Sequence, residues 1–325
     1  MPSSKLMSEA EAIGRFVDDG DSVYVGYTSV AYGLIHEIIR QRKTGLEAIG
    51  GSVGPQGTML FMAGCANRVS SGYIAGALRP GPVQDMMDSG ELKYEDYSNQ
   101  AVALMLMAGA LGIPFIPTRS FLGSDYLKPE YQQHPGGHRG ENKWSVMESP
   151  FDGQPAVLLP ALTPDVAVIH AQRADEFGNV QSWGHQGDAR WAYWAAKKLI
   201  VSVEEIVPTE TIREDPGRTI VPGFRVSAVV HMPRGTHPSG CNGFYDFDYS
   251  FMAAAMSRVG RSKEDFEAFR DEWIDGVADR AGYIQRYIER FGQEALDRTI
   301  ATDGPSPQEG IRYAYAPTLP FRMDS

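Results

Sequence analysis

Four short turns hold the residue types best suited to chemistry. Gly26, Tyr27, Thr28 and Ser29 continue a β-branched run, SVYVG at 22–26, and Gly51 and Ser52 sit in GGSVG at 50–54, after a second such run. Ser70, Ser71 and Gly72 lie within or beside a third, and Gly123 and Ser124 follow a fourth. Turns built from small residues leave backbone N–H groups open to close approach, so each could hold a phosphate or an oxygen that becomes negative during a reaction. One such turn carries little weight, because glycine marks any tight turn. Their common position, just after strand-like segments, is what points to a shared site.

The remaining candidates are weaker. Glu204 and Glu205 are adjacent on an extended run, where neighbours face opposite ways, so only one could enter a site; a helix-start or interface acid is the plainer reading. Glu141 and Asn142 lie in a polar loop, not at a strand end. His134 and His138 bracket Pro135, Gly136 and Gly137, which excludes the single helix face that a His-x-x-x-His metal pair needs. Trp183, Trp191 and Trp194 read as core or subunit contacts rather than as a platform for a base. Cys65 and Cys241 are far apart, with no Cys-x-x-Cys spacing, which fits a reducing compartment and argues against a disulfide framework or a structural zinc. No metal is expected.

These turns must be held by regular elements. Ser8 and Glu11 have capping-box spacing ahead of Ile13, Phe16 and Val17, and Gly20 closes that short helix. The strand at 22–26 leads through its turn into Leu34, Ile35, Ile38 and Ile39 at helical spacing. The alternation recurs: 46–50 before 58–64, 68–74 before 83–88, and a helix from Ala101 before a strand at 113–117. Further β-branched runs occupy 165–170, 199–203 and 226–231, with a helix over 187–198. The pattern predicts an α/β fold with an open, mostly parallel sheet covered by helices on both faces, whose ligand crevice lies at the carboxyl ends of the strands. Two stretches break the rhythm. Residues 118–155 read as one long Gly/Pro-rich loop, and 249–292 as a helical C-terminal layer in which Tyr283, Tyr287 and Phe291 share a face. The whole of 1–325 reads as a single domain.

The chain has 325 residues, 42% of them apolar, with 30 Lys plus Arg against 41 Asp plus Glu. The net charge of −11 repels nucleic-acid phosphates, and no basic stripe offsets it. The start of the chain has no apolar run of the secretory kind, and the longest apolar run, 101–113, stops at Pro114, short of the roughly 20 residues that span a bilayer. A cytoplasmic protein with no membrane contact is expected.

Several longer segments occur in a recognisable order: GELKYEDYS at 90–98, ALGIPFIP at 110–117, DVAVIHAQ at 165–172 with Gly178 and Asn179, VEEI at 203–206, and HPSGCNGFYDFD at 237–248. Together they resemble the A-type subunits of glutaconate CoA-transferases, over almost the whole chain. The resemblance implies the family I CoA-transferase fold (NagB/RpiA/CoA-transferase-like). It also implies ping-pong transfer of CoA between an acyl-CoA and a small carboxylate, through a glutamyl-CoA thioester on a B-type partner. A carboxylate nucleophile suits this chemistry, because its mixed anhydride is itself open to attack by CoA thiolate.

On that reading this chain carries no catalytic nucleophile. It supplies the oxyanion and CoA loop Gly26, Tyr27, Thr28 and Ser29, with pocket walls at Gly51, Ser52, Ser71, Gly72, Asn99, Gly123 and Ser124. No cofactor is held permanently; the CoA thioester is a substrate, and the partner is the B-type subunit. His170 and His237 fall in segments that the resemblance marks as structural or subunit-contact regions. The first loop departs from the family pattern: Val25 precedes Gly26, and Val30, Ala31, Tyr32 and Gly33 replace a basic, proline-bearing stretch, which bears on the contacts to the substrate carboxylate. Two alternatives stand beside this reading. One is an acyl-CoA or ring-opening hydrolase of the same scaffold, whose active glutamate would fall where this chain has Asn99. The other is a non-catalytic ligand-sensing module.

Overall fold

The computed structural model describes residues 3–26, 28, 30–75, 77, 80–128, 137–139 and 143–301. The first half alternates as its periodicity requires: α1 (Glu9–Phe16), β1 (Ser22–Tyr24), α2 (Tyr32–Arg40), β2 (Leu46–Gly50), α3 (Pro55–Met62), β3 (Ala66–Ser71), α4 (Pro82–Ser89), β4 (Lys93–Asp96), α5 (Asn99–Leu111) and β5 (Phe115–Thr118). Then come β6 (Ser145–Glu148), β7 (Pro155–Pro160), β8 (Val166–Ala174), β9 (Val180–Gln181), α6 (Ala189–Ala195), β10 (Lys198–Ile206), β11 (Thr219–Val221) and β12 (Ala228–His231). Helices at Tyr249–Ala254, Lys263–Arg270 and Arg280–Phe291 close the described chain.

Among the described residues the main sheet has nine strands. Its parallel part runs β12-β10-β8-β1-β2-β3-β4, with β9 and β11 added antiparallel at the end of β8. Successive residues of one strand enter opposite cores, as the period of two demands. Val23, Ala48, Val168 and Ile200 join α2, α3 and the C-terminal aromatics on one face. Tyr24, Ile49, Ala167, Ile169 and Val201 meet α5 and α6 on the other. Both faces are therefore dry, which is why the strand sequences read as continuous apolar runs. The predicted C-terminal layer is present, with Phe251 edge-on to Trp273 at 4.9 Å and Phe291 stacked on Trp273 at 6.2 Å.

The stretch 118–155 departs from the loop expected. β5 leaves the main sheet and pairs antiparallel with β7, which pairs with β6, giving a separate three-stranded sheet against α5. The strand β4, KYED, carries no strand signal in its sequence. Its Glu95 is fully buried, and Lys143, 3.0 Å away, neutralises it from the far side of that stretch.

Glu95 belongs to a clamp that ties His138, Arg139 and Lys143 to the sheet. Arg139 N donates to Glu95 Oε1 at 2.7 Å, the Arg139 guanidinium reaches Glu47, Ser70 Oγ donates to Glu47 Oε1 at 2.6 Å, and the His138 ring stands 3.0 Å from that same oxygen. Burial alone would raise the Glu47 carboxyl, but contact with His138 and the charge of Arg139 outweigh it and hold it at about 2, against an ordinary 4.5. A carboxyl depressed by folding stabilises the fold above its unfolded value and ceases to do so as pH falls through the folded one. Glu47 is therefore expected to contribute roughly 3 kcal/mol above pH 4.5 that disappears toward about pH 2. Urea unfolding across that range checks this. The slope should shrink in Glu47→Gln, and an identical pH slope in that variant would contradict it.

Candidate active site

β1 ends at Tyr24, Val25 N donates to Ile49 O at 3.0 Å, and the chain then turns at Gly26 with φ +77°. That left-handed backbone suits glycine, and a Cβ there would stand 3.3 Å from Thr28 O. The turn is held from two sides. Gln56, in the first turn of α3, donates to Gly26 O at 2.6 Å, and Thr28 Oγ1 donates to Gln186 O at 2.6 Å. Tyr27 and Ser29 lie outside the described residues.

The next turns are tied to the first through Asp188, just before α6. Its Oδ1 accepts from the Tyr24 hydroxyl at 2.9 Å and its Oδ2 from Gly51 N at 2.6 Å. Burial raises the Asp188 carboxyl above its ordinary value, against the lowering effect of these donors. Gly72 N donates to Gly51 O at 3.1 Å, and Ser71 Oγ donates to Tyr73 O at 2.8 Å. Only glycine fits at 72, since a Cβ would come within 2.3 Å of Asn99 N. Asn99 itself is exposed at the start of α5.

Where these turns meet, a cavity of about 560 Å³ opens, with Thr28, Val30, Ser52, Gln56 and Tyr73 on this side. Thr28 and Ser52 line it directly. Gly51 and Gly72 are chain neighbours of the lining residues Ser52 and Tyr73, and Ser71 is bonded to Tyr73 through its hydroxyl. Gly123 and Ser124 lie elsewhere: because β5 left the main sheet, its end does not reach the crevice.

The opposite wall comes from 239–247, through Ser239, Gly240, Asn242, Tyr245, Asp246 and Phe247. Its Ser239-Gly240 and Asn242-Gly243 pairs mark turns, but they do not directly follow a β-branched run and so stand outside the four candidate turns. Its odd composition was the available signal, and two buried networks explain that composition. In the first, Glu204 Oε1 accepts from the Tyr245 hydroxyl at 2.6 Å and lies 2.7 Å from His170 Nε2, while its Oε2 accepts from Arg234 N at 2.8 Å. Burial pushes the Glu204 carboxyl up, but His170, Tyr245 and Arg234 N together bring it below its ordinary value. In the second, His237 lies 2.9 Å from the Tyr283 hydroxyl and 3.2 Å from Asp248, and burial lowers its ring to about 4, so it is neutral at pH 7. Glu204 is thus neither a helix-start nor an interface acid; it anchors this wall. Glu205, facing the other way, is exposed.

Ligand atoms of His170, Glu204 and Cys241 lie within 4.8 Å of one another. The His170–Glu204 separation is a hydrogen-bond distance, and burial drives the Cys241 thiol far from ionisation, so the trio works as a wall anchor. His134, Glu141 and Asn142 lie outside the described residues. Trp191 packs into the core beside α5, Trp194 is partly exposed on α6, and Trp183 sits between Arg173 and Arg218, at 5.6 and 5.7 Å. No glutamate lines the cavity among the described residues.

Residues 6–232 match the family described as Coenzyme A transferase. The A-type chain of glutaconate CoA-transferase from Acidaminococcus fermentans is 34% identical over 87% of this chain and 92% of its own. The A-type chain of 3-oxoadipate CoA-transferase from Pseudomonas knackmussii is 34% identical over 88% of this chain and 99% of its own. The crystal structure of the A. fermentans enzyme superposes with a TM-score of 0.82 at 32% identity, covering 96% of this chain and 98% of the other. A protein of Archaeoglobus fulgidus is 35% identical over 87% of this chain, which spans 62% of that longer protein. The family match over residues 6–232 and these full-length similarities show that the chain belongs to the coenzyme A transferase family.

Proposed function

We propose that this chain is the A-type subunit of a CoA-transferase that works only with a B-type partner. The observation that carries the reading is the glycine turn at Gly26 on the rim of a cavity that has no glutamate of its own among the described residues. The nucleophile then comes from the partner. Its glutamate carboxylate adds to the thioester carbonyl, the C–S bond breaks, and an acyl-glutamyl anhydride and CoA thiolate result. The thiolate attacks the glutamyl carbonyl, releasing the first carboxylate and leaving a glutamyl-CoA thioester. A second carboxylate then takes the CoA by the same two steps in reverse.

This chain's share is electrostatic and steric. The backbone N–H groups of Gly26 and Thr28 face the carbonyl oxygen as its charge grows, and the Thr28 and Ser52 side of the cavity confines the acyl group. Nothing here requires a metal or a permanently held cofactor. Intact-mass measurement of both chains, after incubation of the complex with an acyl-CoA, tests the assignment. The CoA adduct should appear on the partner and disappear when a carboxylic acid is added. An adduct on this chain, or robust transfer by this chain alone, would refute it.

A further inference from the structure

We infer that Gln56 is a positioning residue for the reaction: its carboxamide fixes the direction of the backbone dipoles in the Gly26 turn and so governs the chemical step. The inference rests on the CoA-transferase reading above and assigns a further residue to the same site. Gln56 lines the cavity yet is only 2% exposed. A primary amide nitrogen carries two protons, and here both go to turn carbonyls. Nε2 donates to Gly26 O at 2.6 Å and, over a longer reach, to Ser52 O at 3.4 Å. One side chain thus joins the turn after β1 to the turn after β2.

The residues around Gln56 leave room for this reach. α3 begins at Pro55, and a Cβ on Gly54 would stand 2.9 Å from Gln56 Oε1, so glycine there lets the carboxamide lie over the start of the helix. A Cβ on Gly57 would meet Val53 Cγ1 at 1.9 Å, which seats the first turn of α3 directly on the turn after β2.

The bond to Gly26 O matters because of what glycine permits. With φ at +77° and no side chain, the peptide after Gly26 can turn over at small cost, which would exchange a carbonyl dipole for an N–H dipole at one place. An oxyanion site works only with donors, since a carbonyl oxygen turned toward the growing charge repels it. A donor on Gly26 O removes that freedom. Glutamine supplies it without adding a formal charge beside the reacting groups.

Gln56→Met keeps the length of the side chain and removes both donors. In the complex assembled with its partner it should lower kcat about 100-fold, the cost of a small misplacement at the reacting centre, while KM for the acyl-CoA changes little. Gln56→Glu adds a readout that a merely structural role would not move. Ionised, its carboxylate has no proton for Gly26 O; protonated, it has one. Burial against carbonyls favours the protonated form, so kcat of Gln56→Glu divided by that of Gln56→Met should rise about tenfold from about pH 8 to about pH 5.5. The division cancels titrations common to both variants, those of His185 and Asp246 in the cavity wall included. If Gln56→Met does not assemble, the unaltered complex takes its place in the ratio, and the same rise is expected. Undiminished kcat in an assembled Gln56→Met complex, or a flat ratio, would overturn the inference. An unaltered complex that transfers no CoA would instead defeat the transferase reading, and this inference with it.

Discussion

Replacing Gly26 with valine is expected to cut the turnover of the assembled complex about 100- to 1000-fold, the effect of losing one preorganised donor to a developing oxyanion. The backbone at this position has φ +77°, which a β-branched residue adopts only with strain, and the new Cβ would press on Thr28 O from 3.3 Å. The turn must therefore shift, and its N–H groups shift with it. Thr28→Val is the companion experiment. It removes the hydroxyl that donates to Gln186 O but leaves the backbone conformation available, so the loss should be roughly tenfold or less. Turnover numbers are compared only for variants that fold and assemble as the parent does. A Gly26→Val complex with undiminished turnover would show that the turn is a pocket wall and not an oxyanion site.

Glu204→Ala should destabilise the fold by roughly 3 to 5 kcal/mol, as expected when one member of a buried, charge-assisted network is deleted. The Tyr245 hydroxyl, Arg234 N and His170 would all lose a buried partner together. Glu204→Gln keeps an oxygen acceptor and should retain about half of that stability. Because Tyr245 stands in the cavity wall, the glutamine variant should also raise KM more than it lowers kcat. A purely structural role would leave that ratio untouched. Denaturant unfolding gives the first quantity and steady-state kinetics the second; a loss under 1 kcal/mol in the alanine variant would contradict the anchoring role.

What could be read from the residues divides along physical lines. The parallel sheet was legible because its strands are buried on both sides, so their apolar runs and intervening helical periods appear directly in the sequence. The first three turns were legible as turns, since small residues follow directly on those runs. β4 was not, because Lys-Tyr-Glu-Asp looks solvated until Lys143 and Arg139 are brought to it by the fold. Gly123 and Ser124 were misplaced because nothing local tells a strand whether it stays in the main sheet; β5 leaves it to pair with β7, about forty residues on. Asp188 was overlooked for a similar reason. Its neighbours mark a helix start, and its two partners, Tyr24 and Gly51, lie far back along the chain.

That carboxylate has a mechanical consequence. With one oxygen on the Tyr24 hydroxyl and the other on Gly51 N, Asp188 couples the ends of β1 and β2, so the two sides of the cavity do not yield separately. A ligand of the wrong shape that presses on one turn works against the stiffness of both, and the misfit is carried to the position of the reacting carbonyl instead of being absorbed by local give. A misfit of ligand shape should accordingly register in the speed of the chemical step as well as in affinity.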